Sequence, residues 1–563
     1  MANGDRGFGM SGQEQSEVAR AVQDLVDDLV ADDPVLGTVL GMTEGAGRLP
    51  SWSAAALERR CELLHAHERR LTPLLAAEHT GAAVDAFAAL QVVRRRLRLL
   101  ELRRAPQRHP GAVLEVAAAV FPLLVRELGT TGERVEALAS RLAAVPQLLA
   151  EATEALEPGP SAAAVESGID FAEGLLDLAG PTARAFAASV GREGAVDEAS
   201  AAALAALAGF RDFLRDELAP TATDECAAGD GVLADILLWE HALDEPPEAL
   251  AAYGREVLSE TRAAMEEIAA AAGYAGAAEA VAAGQALTPT AAGLVDDYRR
   301  AVEEARAFVV AHDIAGLPPG EELEVVATPL FLRSLLPFAA YDAPGPFAER
   351  QLGFYYVTPP PGDLGEEEVR AILRGHSLAS LRTTGVHEAY PGHHLQLVSA
   401  NFAPTLARRI AGLPDGGNLL VEGWAFYCEE LMDREGFLDD PVVRLMRLND
   451  QLWRACRVVI DVELHSDRMG LAEAVDFLVR EASMNRREAE LECRRYAEEP
   501  GQAMSYLLGK REVTRLAERW SGERGGTLRT FHDELLAWGS LPPAAIAWGM
   551  GLGPRPAAAR VSS

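Results

Sequence analysis

From about Ser16 to Ala270 apolar residues recur three and four positions apart, as in Val18, Val22, Leu25 and Leu29 and again in Leu57, Leu63 and Leu64. That period is the stripe of an amphipathic helix, so this half of the chain is predicted to be nearly all helix. Breaks are expected where Gly and Pro gather, at Asp32-Asp33-Pro34, Glu157-Pro158-Gly159-Pro160, Ala179-Gly180-Pro181 and Glu245-Pro246-Pro247. In Arg94-Arg95-Arg96-Leu97-Arg98 the neighbours Val92, Val93, Leu97, Leu99 and Leu100 keep helical spacing, which predicts a solvated helix face and not a basic binding patch. The Ala-rich stretches 199–208 and 263–286 show no fixed period, which speaks against a solenoid.

Between Gly320 and Pro361 the pattern changes. Glu324-Val-Val-Ala-Thr-Pro329 and Phe354-Tyr-Tyr-Val-Thr358 are β-branched and aromatic runs bounded by Gly and Pro, which predicts short strands and a small sheet. Helical spacing resumes after Pro359-Pro360-Pro361-Gly362, with Glu366-Glu367-Glu368 read as an acidic first turn, and carries to about Trp538. Residues 1–15 and 554–563 read as tails. The fold class expected is mostly α, a large multi-helix unit with a small β-sheet near an active-site cleft.

Composition narrows the functions open to such a fold. The chain has 563 residues, 52 Lys and Arg against 85 Asp and Glu, and a net charge of -33, which argues against nucleic acid as a partner. Lys510 is the only lysine. Five scattered cysteines without CxxC spacing indicate neither a disulfide framework nor a cysteine zinc site. The first residues lack an apolar leader and no stretch reaches the ~20 apolar residues of a membrane span, so a cytoplasmic protein with no membrane partner is expected. Oligomeric state is not legible.

Candidate chemistry concentrates in Gly385-Val-His387-Glu388-Ala-Tyr-Pro391-Gly392-His393-His394-Leu-Gln396, where three of the twelve histidines fall within eight residues. In an HExxH helix the histidines at i and i+4 face one metal and the glutamate stands beside it as general base. Here Pro391 holds the i+4 position. If Pro391-Gly392 is looped out, His387-Glu388-Ala-Tyr-His393 restores HExxH, and Pro and Gly suit such a break. His394, at i+7, is the competing second ligand, although two helical turns rise ~10 Å, too far for two imidazoles on one ion. A third ligand is a carboxylate by preference, and Glu422 in Asn418-Leu-Leu-Val-Glu422-Gly-Trp-Ala-Phe-Tyr-Cys-Glu429-Glu430 starts a helical run among apolar neighbours. Glu429 and Glu430 are read as solvated or as supports behind the ligands. Arg457 is a candidate for a substrate carboxylate, with a salt bridge to Asp461 one turn on as the alternative.

HEAYPGHHLQ followed by VEGWAFYCEE resembles the bacterial family known as domain of unknown function 885, whose fold is similar to that of the helical carboxypeptidase Taq zinc metallopeptidases. Arg454-Ala-Cys-Arg457 with Asp461-Val-Glu-Leu-His465, then Pro500-Gly-Gln502-Ala-Met-Ser-Tyr506-Leu-Leu-Gly509-Lys510, then Phe531-His532-Asp-Glu-Leu-Leu-Ala-Trp-Gly539, are similar to later family segments in the same order. Val462 and Glu463 stand where the family pattern more often has Thr and Gly. The resemblance covers roughly residues 320 to 545. It implies a gluzincin-like site with zinc on His387, His393 and Glu422, Glu388 as general base, and Tyr506 as donor to the developing oxyanion. His465 as a substrate contact and His532 as a catalytic group are further candidates, with a satisfied core histidine as the alternative for each. The division implied is a helical region over 16–319 and a metallopeptidase-like region over 320–553, forming one continuous unit with a central cleft.

The function expected is a zinc-dependent peptidase acting on short peptides, carboxypeptidase- or oligopeptidase-like. A metal-dependent amidase or esterase, and a catalytically silent binding protein, are the alternatives. The strands around Val325 and Tyr355 offer an edge to which an extended peptide could add.

Overall fold

The structure is a computed structural model that describes residues 12–77, 80–329, 333, 336, 338–362, 364–412 and 418–560. It is mostly helical with one small sheet, as the apolar periodicity predicts. Most expected breaks are helix boundaries. The first helix, Gly12–Asp32, stops where the Asp33 carboxylate accepts from the amides of Val35 and Leu36 and so opens the next helix, a side-chain cap of the usual kind. Ala179-Gly180-Pro181 departs from expectation: the chain widens into a π turn, Leu178–Thr182, and runs on into the helix Ala183–Ser189. Proline has no N–H to give to the i−4 carbonyl, and a widened turn lets the helix pass it without stopping.

The arginine run differs more sharply. Arg95 and Arg98 are buried, and Arg98 pairs with Asp235 at 2.9 Å and with Glu240. Arg95 and Arg98 form an internal ion-pair seam, because two acids from a distant segment follow them into the core, while Arg94 and Arg96 stay partly exposed. The expected tails are also partly built. The first helix already begins at Gly12, and Ala558 and Ala559 are buried.

Residues Val18 to Leu97 share one apolar core with residues between Leu294 and Ala559, so packing crosses the middle of the chain. A second core joins residues 233–280 to 419–508, and a third lies within 112–218. Among the described residues no helix is long and apolar enough to cross a membrane.

Among the described residues, nine helices are numbered here in chain order, α1 Pro247–Ala271, α2 Leu294–Ala311, α3 Leu378–Glu388, α4 His393–Asn401, α5 Asn418–Arg434, α6 Pro441–His465, α7 Arg486–Glu498, α8 Ser505–Arg524 and α9 Leu528–Leu536. The sheet has the order β1 Glu321–Ala327, β3 Gln351–Val357, β2 Ala339–Asp342. β1 runs parallel to β3 with Val325 opposite Tyr355, and β2 runs antiparallel to β3 with Tyr341 opposite Tyr355. Both strands read from the sequence are present. β2 is an addition, too short and too near Pro for its alternation to show.

Candidate metal centre

α3 ends at Glu388 and α4 begins at His393. Between them Ala389 to Gly392 leave the helix, with a cis peptide between Tyr390 and Pro391. The excursion is pinned from both sides: the Gly392 amide returns to Val386 O at 3.0 Å, and the Trp424 indole of α5 donates to Pro391 O at 2.7 Å. A Cβ on Gly392 would stand 1.9 Å from His387 O, so only glycine fits there. The extra pair of residues is therefore looped out, and His393 comes to the place an i+4 histidine would hold. Its ring centroid is 4.7 Å from that of His387, with the planes at 87°.

One carboxylate oxygen approaches both imidazoles. Glu422 Oε2 lies 3.6 Å from His387 Nε2 and 3.4 Å from His393 Nε2, and it makes no hydrogen bond. Two ligands ~2.05 Å from a tetrahedral ion stand about 3.3 Å apart, so the spacing suits one zinc-sized cation better than direct hydrogen bonding. Glu388 joins the cluster: its carboxylate and both imidazoles offer atoms within 4.8 Å of one another. The two imidazoles are close to dry, with His387 and His393 at 6% and 8% exposure, and Glu388 and Glu422 are half-buried.

α5 supplies more than Glu422. Two turns on, the buried Glu429 accepts from His387 Nδ1 at 2.7 Å, which leaves Nε2 as the free ligand atom. Burial opposes charge on His387, but Glu422 and then Glu429 outweigh it and hold the imidazole pKa up to about 10. The same pairing holds Glu422 well below the usual carboxylate range, against the effect of burial, through His387 and His393. A proton and a cation compete for these nitrogens. Glu430 turns away and pairs with Lys510, which also donates to Gln451 at 2.7 Å.

His394 points elsewhere. Its Nε2 donates to Glu321 of β1 and its Nδ1 accepts from Tyr341 of β2, both at 2.9 Å, and Glu321 also takes Tyr390 and Arg306. Tyr506 does reach the cluster: its ring stacks at 6.3 Å and 16° on His387. Burial, then the charge of Glu422, push its hydroxyl up, so it keeps its proton as a donor.

Tyr506 is placed by two devices. α5 and α8 cross backbone to backbone at Gly423 and Gly509, where a Cβ on Gly509 would stand 1.9 Å from Leu419 O. The turn before α8 is held by the fully buried Asp461, which accepts from the amides of Gly501 and Met504 at 2.9 Å each. Arg457 therefore forms no pair with Asp461. It donates to Glu492 at 3.1 Å and to the Tyr496 hydroxyl at 2.9 Å, with its guanidinium 4.6 Å from the Tyr506 ring centroid.

His465 and His532 are not brought to the cluster. His465 donates from Nε2 to Tyr496 O at 2.9 Å and accepts from Ala228 N at 3.2 Å. His532 on α9 donates from Nδ1 to Ile314 O at 2.7 Å and accepts from the Tyr427 hydroxyl at 3.1 Å, packed edge-on to Trp424. Both are satisfied core histidines. Burial pulls each down to about 4, as it does His376. In the unfolded chain each would titrate near 6.5, so their neutral burial favours folding above about pH 6.5 and loses that contribution as pH falls toward 4. Each ring then costs on the order of 3 kcal/mol. The urea midpoint is expected to fall steeply between about pH 7 and about pH 5; a flat profile would show these rings able to charge in place.

Sequence reasoning offered Glu429 as a support behind the ligands without naming its partner, and it did not reach the roles of Asp461 and Glu321. Only Glu429 left a signal, its i+7 spacing from Glu422 on one helix face.

The profile of a bacterial protein family of unknown function, DUF885, matches residues 34–550. No curated protein matches the chain. Among solved structures, a candidate lipoprotein of unknown function from Shewanella oneidensis superposes with a TM-score of 0.75 at 20% identity, covering 94% of this chain and 98% of that one. A candidate lipoprotein from Colwellia psychrerythraea superposes with a TM-score of 0.79 at 18% identity, covering 96% and 98%. At such identities the likeness is one of fold. The profile match spans nearly the whole chain, fold and cluster included, and this protein belongs to the DUF885 family.

Proposed function

We propose that this protein is a zinc-dependent hydrolase of short peptides, with carboxypeptidase action as the form nearest the resembled fold. The observations that carry the reading are Glu422 Oε2 at 3.6 Å from His387 Nε2 and 3.4 Å from His393 Nε2, and the atoms of His387, Glu388 and His393 within 4.8 Å of one another. A zinc ion held by these three would supply Lewis acidity and lower the pKa of a coordinated water.

The chain's own groups supply the rest. Glu388, next in sequence to His387, is the one carboxylate of the cluster outside the proposed ligand set, and it takes a proton from the attacking water and returns it to the leaving amine. Tyr506 keeps its hydroxyl proton and donates to the oxygen where negative charge gathers. Glu429 fixes the His387 ring through Nδ1. Arg457 and Arg454 flank the Tyr506 ring at 4.6 and 5.7 Å, and a buried nitrogen of Arg457, Nη1, has no hydrogen-bond partner. That supports recognition of a substrate carboxylate beside the scissile bond.

Glu388→Gln is the test. It keeps all three proposed ligands, so zinc content should stay at the wild-type level while hydrolysis of a peptide library falls by about 100-fold or more. Equal turnover in the variant, or no cleavage by the zinc-loaded wild type, would remove the peptidase reading.

A further inference from the structure

A cavity of about 330 Å³ opens where three segments of the first half of the chain meet the end of α7. One wall is cationic: Arg103 and Arg108 both line it, and His109 stands beside them. Their partners are mostly carbonyls. Arg103 donates to Glu498 O at 2.7 Å, and Arg108 to Pro158 O and Gly159 O at 3.3 Å each. Arg108 lies 3.9 Å from Glu157, an acid that Arg104 already engages at 2.6 Å. The Glu498 carboxylate is taken as well, by His109 at 3.3 Å and by Ser167. Glu225 is the other acid in the lining, and it is exposed.

Two further features favour negative charge. The helix Ala162–Asp177 starts at the cavity, and Ser161 at its N-cap makes no side-chain cap. Its dipole therefore presents partial positive charge toward the space. Burial, then Arg98, also pull Arg103 down to about 10, although Glu499 and Glu498 oppose the shift. The rest of the lining includes the apolar Leu102, Pro160, Ala164 and Ala227.

We propose that this cavity binds a small aliphatic carboxylate of amino-acid to dipeptide size, its carboxylate held by Arg103, Arg108 and the first turn of the Ala162–Asp177 helix. The volume is too large for an inorganic anion alone and too small for a long peptide. Planar guanidinium groups match a carboxylate, and the alanines and proline of the lining match a short aliphatic body. The proposal stands apart from the reading of the metal centre. The two places touch through α7, whose Glu492 and Tyr496 side chains face Arg457 while Ala497 and Glu498 line the cavity.

Calorimetric titration of the full chain with the dipeptide Ala-Leu, with sodium butyrate and with inorganic phosphate tests it. Wild type should bind the dipeptide or butyrate saturably in the millimolar range or tighter. Arg108→Gln, at an exposed side chain, should weaken that binding by about tenfold or more, and Thr223→Trp, at the exposed rim, should abolish it. Unchanged melting temperatures in both variants exclude misfolding. Dipeptide without butyrate identifies an amphoteric ligand that also uses Glu225, whereas both alike identify a general short-acid site. Phosphate binding alone, no binding by wild type, or equal binding by wild type and both variants would overturn the proposal.

Discussion

His393→Ala is expected to lose bound zinc, whereas His394→Ala keeps it. The two residues are neighbours in sequence, so composition and charge change alike, and only geometry separates them. His393 Nε2 stands 3.4 Å from the orphaned Glu422 Oε2. Removing it takes away one of three ligands, which should weaken zinc by more than the 10- to 100-fold range, roughly, seen when a supporting group behind a ligand is lost. His394 is engaged at both nitrogens by Glu321 and Tyr341. Its loss leaves Tyr341 unpartnered there while Glu321 keeps Tyr390 and Arg306, a stability cost of about 1–3 kcal/mol with zinc retained. Elemental analysis of the purified proteins after zinc reconstitution and desalting decides between them. Zinc lost in the His394 variant and kept in the His393 variant would reverse the ligand assignment. Absence of zinc from wild type would remove the metal centre altogether.

Gly509→Ala is expected to damage both stability and metal binding without touching a ligand. α8 passes α5 so closely at this point that the added methyl would stand 1.9 Å from Leu419 O and 2.7 Å from Gly423 Cα. Both are backbone atoms on helices and neither can swing aside, so the two helices must separate. The cost should reach about 3 kcal/mol, the upper part of the overpacking range. Because Glu422 precedes Gly423 and Tyr506 lies one turn before Gly509, the same separation draws a proposed ligand and the proposed oxyanion donor away from His387. Gly522→Ala on α8 is the control, since nothing lies within 4 Å of its added methyl. That change should stabilise by roughly 0.4–1 kcal/mol through helix propensity and the unfolded chain. Urea denaturation and zinc affinity measured on both variants check this; equal stability in the two would show that the crossing is looser than the structure has it.

Acid denaturation and these two pairs of substitutions probe different parts of the molecule. The first reads the neutral core histidines His376, His465 and His532, and the others read the cluster and the crossing that frames it. A loss of zinc without loss of stability in Gly509→Ala would place the strain in the site and not in the fold.

The sequence by itself determined the helical character of the chain and two of the three strands among the described residues, and it pointed to His387, Glu388 and His393 as neighbours while leaving His394 open. Those features rest on local physics: apolar residues at helical spacing, β-branched runs between Gly and Pro, and histidines too close in sequence to a glutamate to be scattered by folding. The looped-out Pro391-Gly392 was legible for the same reason, because proline at the i+4 position leaves a helix few alternatives.

What only the tertiary structure decided is which neighbour each polar group meets. His394 was available as a ligand until β1 and β2 came in with Glu321 and Tyr341. His465 and His532 were open to site roles until Tyr496, Ile314 and Tyr427 satisfied them in the core. Arg457 could have paired with Asp461, one helical turn on, but α7 brought Glu492 and the amides at Gly501 and Met504 claimed Asp461. Arg95 and Arg98 of the arginine run became an internal seam for the same reason. Each outcome turns on a partner tens to hundreds of residues away. Burial makes such pairings obligatory, since a polar group without one costs far more in the core than in water, yet it leaves no local period along the chain by which they could be foreseen.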